Sequence, residues 1–333
     1  MKLLSFVIPT YNPSKLLKSC IESIFNQKID LELIEVILID DNSVKKKYIQ
    51  YIKRRFKKLK YFKNNKNLGP GLSRNVGIKK ASGKYIFCLD SDDYIKKNSL
   101  NKIINHIKFK NSDVIFFDFC IIDENKKKYF SNFYKYKYSN KKMLNLLLSA
   151  SADSSAIFGL YKKSFLVKNK ILFKKGVHED ILFMFKIFFY CKSKYHIKDY
   201  IYRKNNYQKS IINNISKVRI SNYLNAFQEI KYFSLKHRGN DSIQQNLILS
   251  GESGYTYEMI HFILRREKSL KRSIELLKFI YKKTNILFNL HNLYPKTYKD
   301  KFVYFFFHNF PQIKKKLDYN QFKRDILDLN EKI

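Results

Sequence analysis

Apolar residues in the first 120 positions fall into two alternating patterns. Short unbroken runs, "LLSFVIP", "LIEVILID", "KYIFCLD" and "DVIFFDF", read as buried β-strands, and the segments "SKLLKSCIESIFNQ", "VKKKYIQYIKRRF" and "SLNKIINHIKF" return apolar side chains at helical spacing. Strands alternating with helices predict βαβ crossovers and a mostly parallel α/β sheet with helices on both faces. Beyond residue 120 the pattern is less regular. A basic aromatic loop, "NKKKYFSNFYKYKYSNKK", precedes a strand at "SAIFGLYKK" and a helix opening at "HEDILFMFKIFFY". From about Ser216 onward, segments such as "SLKRSIELLKFIYKK" and "PQIKKKLDYNQFKRDILDLN" predict a basic helical C-terminal region. The expected division is a first domain over 1–212 and a helical region over 213–333.

The polar residues fall where such a sheet needs them. "PTYN" follows the first strand, "DDNS" the second and "DSDD" the "KYIFCL" strand, so all three lie at C-terminal strand ends. In an open parallel sheet those ends share one edge, where ligands bind.

Composition then narrows the chemistry. The chain of 333 residues carries 66 basic against 28 acidic side chains, a formal charge of +38 that favours phosphorylated small molecules, anionic lipid headgroups or nucleic acid as partners. Lysine-rich composition accounts for much of the excess as ordinary solvated surface. Four scattered cysteines without metal-like spacing point to a reducing compartment. With no apolar run long enough for a signal peptide or a span, a cytoplasmic protein is expected, with attachment to the inner face of the membrane an option.

Against that charge, Asp90, Asp92 and Asp93 stand together. If the strand continues extended, alternation puts Asp90 and Asp92 on one side, a pair suited to Mg²⁺ or Mn²⁺ completed by substrate phosphate oxygens. A strand-end turn whose carboxylates cap the following helix explains the same residues. The companion motifs favour a nucleotide diphosphate: Tyr11 to lie on a base, Asp40 to accept from a base N–H, and Arg74, one turn into a helix opened by Pro70, to meet phosphate.

"SFVIPTYN", "VILIDDNS", "NLGPGLSRNVGIKKASGKYIFCLDSDD" and "HEDILFMFKIF", in this order and at this spacing, resemble the family 2 glycosyltransferases of the GT-A fold over about residues 3–212. The resemblance implies a nucleotide-sugar site along Pro9, Thr10, Tyr11 and Asn12, joined by Asp40, by Asn67 and Arg74, and by Asp90 and Ser91. It implies metal at Asp90 and Asp92, Mn²⁺ or Mg²⁺, and a catalytic base in the second acidic motif, with Asp180 the base and Glu179 a supporting or acceptor-binding group. In "DDNS", Asn42 stands where relatives often carry glycine, and Asn tolerates positive φ better than most residues.

"DYIYRKNNYQKSI" resembles a tyrosine-arginine segment of bacterial members, which makes Arg203, and less directly Ser210, diphosphate or acceptor candidates. Lys204 and Asn205 occupy the place where some relatives have a histidine. The implied activity is inverting transfer from a nucleotide diphospho-sugar, a UDP-sugar first, to a glycan or lipid-linked glycan. The rival reading is a basic protein that binds nucleic acid or an anionic membrane on a transferase-like fold without catalysis. It ranks lower because it gives the carboxylates of Asp90, Asp92 and Asp180 no work, and nucleic acid is not an expected partner.

Overall fold

A computed structural model describes residues 1–131, 138–148, 154–176, 178–206 and 215–238, with isolated positions between 255 and 283. The apolar runs form strands β1 (Leu4–Thr10), β2 (Ile34–Asp40), β3 (Leu59–Lys63) and β4 (Tyr85–Cys88). Every residue of β1, β2 and β4 is buried, as continuous apolar strands covered on both faces must be. Helices α1 (Leu16–Phe25), α2 (Lys46–Arg55) and α3 (Pro70–Lys80) complete the crossovers. In α1, Leu17, Cys20, Ile21 and Ile24 are buried, the stripe expected at i, i+3, i+4 and i+7.

The chain continues with β5 (Tyr94–Ile95), α4 (Leu100–Phe109), β6 (Val114–Ile122), β7 (Lys128–Ser131), α5 (Asn140–Leu148), β8 (Gly159–Lys162), α6 (Lys163–Lys168), α7 (Asp180–Tyr190), β9 (Lys194–Asn205) and α8 (Lys217–Arg238). Among the described residues these strands form one sheet in the order β3-β2-β1-β4-β8-β6-β9-β5, with β7 on β6. The crossovers from β1 to β4 keep that half parallel. Past β4 the sheet is mixed: β8 runs antiparallel to β4 and β6, whereas β9 runs parallel to β6. The expected strand "SAIFGLYKK" is a single 3₁₀ turn at Ala156–Phe158 followed by β8. The turn leaves the Ala156 N–H free to donate to Asp180 Oδ2 at 3.2 Å.

The chain divides into two compact units, Met1–Asn214 with Asn222–Tyr255, and Ile215–Ser221 with Thr256–Ile333. All site residues considered below belong to the first. Ser210 and most of the expected C-terminal helices lie outside the described residues, within which no helix is long and apolar enough to cross a membrane.

Candidate active site

Parallel register sets Thr10 beside Asp40, and the Asp41 N–H donates to the Thr10 carbonyl at 2.8 Å, so the first two motifs share one edge. Pro9 is tolerated in this central strand because β1–β4 pairing ends at Val7–Cys88, before an N–H at Pro9 would be needed. Asn12 and Asn42 take the positive φ that their turns require, 44° and 64°. The Asn12 side chain accepts from Val44 N and Lys45 N at 2.9 and 3.3 Å, tying the end of β1 to the start of α2. Asp40 is buried and accepts from Ser43 N and the Tyr61 hydroxyl, both at 2.8 Å. Asp41 accepts from Asn64 Nδ2, Leu68 N and Gly69 N and thereby shapes the loop into α3. Tyr11 is half exposed at this edge, Asn67 lies exposed in the loop, and Thr10 Oγ1 is buried without a hydrogen-bond partner.

The "DSDD" segment departs from the extended expectation. The strand stops at Cys88, and the Asp93 N–H closes a turn on the Asp90 carbonyl at 3.1 Å. The chain has to reverse here because β5 pairs antiparallel with β9, so strand alternation does not decide which carboxylates share a side. Asp90 faces inward to Arg74, Ser91 is partly covered, and Asp92 is exposed at the turn. Surrounding protein and the Asp90 charge push the Asp92 carboxyl up to about 6. Asp93 is the buried brace. It accepts from the Tyr202 hydroxyl at 2.6 Å and Asn205 N at 2.8 Å, while the Asn205 side chain donates to the Asp92 carbonyl. Burial, then Asp90 and Asp92, raise the Asp93 carboxyl well above the usual range. Arg203 lies on β9 opposite Tyr94, with one terminal guanidinium nitrogen, Nη1, buried and unpartnered.

The second acidic motif meets the first through Arg74. Its Nη2 donates to Asp90 Oδ1 and its Nη1 to Glu179 Oε1, both at 2.7 Å, with Asp180 Oδ1 at 3.8 Å from Nη1. Asp180 opens α7, and its Oδ1 is buried without a hydrogen bond. Burial pushes this carboxyl up to about 7, with Glu179 and Asp90 adding to the rise while Arg74 and the Ala156 N–H oppose it. His178 packs edge-on against Tyr223 at 4.8 Å, a packing role consistent with a residue at the mouth of a helix. The sequence does not anticipate the braces Tyr61, Tyr202 and Asn205 or the Arg74–Glu179 pair, since nothing local signals contacts spanning up to 113 residues.

Residues 5–168 match Glycosyl transferase family 2. The chain is 31% identical over 243 residues to the poly(ribitol-phosphate) β-N-acetylglucosaminyltransferase TarP of Staphylococcus aureus, which covers 69% of this chain and 71% of TarP. The chain belongs to glycosyltransferase family 2. This glycosyltransferase is also 33% identical over 175 residues to the GalNAc(5)-diNAcBac-PP-undecaprenol β-1,3-glucosyltransferase of Campylobacter jejuni, covering 51% of this chain and 54% of that one. Its fold is that of residues 1–349 of S. aureus TarS in complex with UDP-GlcNAc, with a TM-score of 0.56 at 19% identity over 87% of this chain and 92% of that one. The α/β fold and the glycosyltransferase activity expected from the motifs therefore stand.

Proposed function

We propose that the protein transfers a sugar from a UDP-sugar to a hydroxyl of a glycan or lipid-linked glycan, with inversion at the anomeric carbon. The observation that carries this reading is the placement of Asp180: its buried, unbonded Oδ1 lies in the same guanidinium-centred cluster as Asp90 of the donor motif. A carboxyl near neutrality accepts a proton most usefully at working pH, and such general-base assistance contributes about 10² to 10⁴ in rate. Asp180 takes the acceptor proton as the oxygen attacks opposite the departing diphosphate, and one displacement inverts the centre. The relatives support the substrate classes, since one is named for a poly(ribitol-phosphate) acceptor and one for a lipid-linked glycan, and the structural neighbour holds UDP-GlcNAc.

Tyr11, exposed at the end of β1, presents a face for the uracil, and Arg203 Nη1 and Thr10 Oγ1 are unpartnered groups suited to donor oxygens. Asp90 and Asp92 would hold Mn²⁺ or Mg²⁺. The donor set fits: these are two hard carboxylates, and Asp92 is raised first by the surrounding protein and then by the Asp90 charge, a repulsion that a cation would relieve. Among the described residues no group of three acidic, His or Cys side chains forms a metal cage, so substrate oxygens and water would complete the shell. Bound there, the ion supplies Lewis acidity toward the leaving diphosphate.

The test is a screen of UDP-, GDP-, CDP- and dTDP-sugars with MnCl₂ or EDTA, with product anomers read by NMR. UDP-sugar turnover that EDTA abolishes, an inverted product, and loss of transfer with retained UDP binding in Asp180→Asn are expected. A retained anomer, or Asp180→Asn at wild-type rate, overturns the mechanism.

A further inference from the structure

We infer that Arg74 is a positioning residue for transfer: its guanidinium clamps the Asp90 turn to the Glu179–Asp180 segment, fixing the base against the donor motif instead of binding the donor diphosphate. The inference rests on the transfer reading above.

The inner face of α3 is built as a grip on the chain that leads into α7. Gly71, Arg74 and Asn75 stand at i, i+3 and i+4, one face of the helix. At Gly71 a Cβ would meet Glu179 Cγ at 2.6 Å and the Lys174 carbonyl at 2.8 Å, so the missing side chain is what lets Glu179 lie against the helix. The Asn75 side chain donates to the Phe173 carbonyl at 2.8 Å and accepts from the Phe173 N–H at 2.9 Å. Arg74 covers the ring of that same Phe173 at 5.3 Å and then reaches Glu179. The segment from 173 to 180 is thus held at both ends by one helical face.

Both terminal nitrogens of Arg74 are engaged by carboxylates, one on either acidic motif, and its third nitrogen, Nε, is buried without a partner. The residue is 4% exposed. A phosphate oxygen that took the place of Glu179 would leave that carboxylate, only 10% exposed, without its guanidinium. The planar fork of arginine can span two acids in fixed geometry, and the single ammonium of lysine cannot.

The experiment uses the full chain with Arg74→Met, which keeps the stem and removes the fork, and Arg74→Lys, which keeps the charge. Wild-type turnover is measured first with the UDP-sugar it accepts. UDP affinity is then measured by calorimetry in MnCl₂, with kcat, KM and melting temperature for each protein. Misplacement of the base should lower kcat about 10²-fold in Arg74→Met, with UDP affinity within about threefold of wild type, because an interaction absent from donor binding leaves binding alone. Arg74→Lys should stay about tenfold or more below wild-type kcat, since charge without the fork does not restore the clamp. Adding Glu179→Gln to Arg74→Met should cost little more, the non-additivity of two changes that break one bridge.

If Arg74→Met does not fold, the kcat-against-affinity split in Arg74→Lys decides. UDP affinity that falls in step with kcat/KM puts Arg74 on the diphosphate and overturns the inference. A lowered melting temperature with unchanged kcat in the variant that folds does so too, by showing a purely structural role. A silent wild type with every donor overturns the transfer reading itself, a separate outcome.

Discussion

Replacing Asp180 with Asn should make the protein more stable at alkaline pH while ending transfer. The carboxyl moves from its ordinary 3.8 to about 7, burial being the largest cause. A raised folded-state pKa means that the folded protein holds this proton more tightly than the unfolded chain does. The resulting stabilisation is complete below the unfolded pKa and is lost as pH rises through the folded one, at about 1.36 kcal/mol per unit. Between pH 5 and pH 7 the wild type therefore loses about 2 to 3 kcal/mol through this single group. The Asn carbonyl can still accept the Ala156 N–H, and the variant carries no charge to desolvate, so it lacks that slope. The assay is urea unfolding of both proteins at pH 5, 6, 7 and 8, in EDTA so that no cation adds its own charge. Other titrating groups cancel in the difference. The Asn-minus-Asp stability should rise by about 2 to 3 kcal/mol from pH 5 to pH 8 and flatten above 7. A difference that is constant with pH, or that falls, refutes the raised carboxyl and with it the neutral-pH base.

At the opposite end of the sheet, Glu35→Gln should cost about 3 kcal/mol at pH 7, because Lys60, Ser5 and Ser82 overcome burial and lower Glu35 to about 2. That stability is present above about 4.5 and is lost as pH falls toward 2, so urea midpoints of variant and wild type should converge in acid. Gly71→Ala should lower transfer about tenfold or more with UDP affinity retained, since the added Cβ pushes on Glu179 Cγ and the Lys174 carbonyl; steady-state kinetics at wild-type rate would reject that close contact. Asp92→Asn should abolish the Mn²⁺ dependence of UDP binding by calorimetry, and an unchanged metal dependence would remove Asp92 from the ion's shell.

The strands and helices of the parallel half were legible because each depends on its own apolar period, and the resemblance then supplied the site's membership. What pairs with what was another matter. β8 falls within the strand expected at "SAIFGLYKK" and β9 is not anticipated as a strand, and their antiparallel and parallel places beside β6 come from contacts far along the chain. The DSDD turn shows the same gap. An extended continuation was the local expectation, yet its reversal is enforced by Tyr202 and Asn205 on β9. Arg74 is legible as a basic residue placed to meet phosphate and Glu179 as a supporting acid, and their pairing across 105 positions is not.

Even in a chain with so large a positive charge, each buried acid has to find local partners. A lone buried carboxylate is costly unless paired and hydrogen-bonded. Asp40, Asp41, Asp93 and Glu35 each meet that requirement with neutral donors, backbone N–H groups or a lysine, and so serve as braces at fixed ends of strands. Asp92 and Asp180 are raised to about 6 and about 7, next to the two ends of the Arg74 bridge, and Asp93 is raised as well although Tyr202 and the Asn205 N–H brace it. Braced carboxylates hold the backbone still, and the proposed cation and proton chemistry falls to Asp92 and Asp180. On the proposed reading, the base is the acid whose hydrogen bonding is incomplete, Asp180 with its buried unbonded Oδ1.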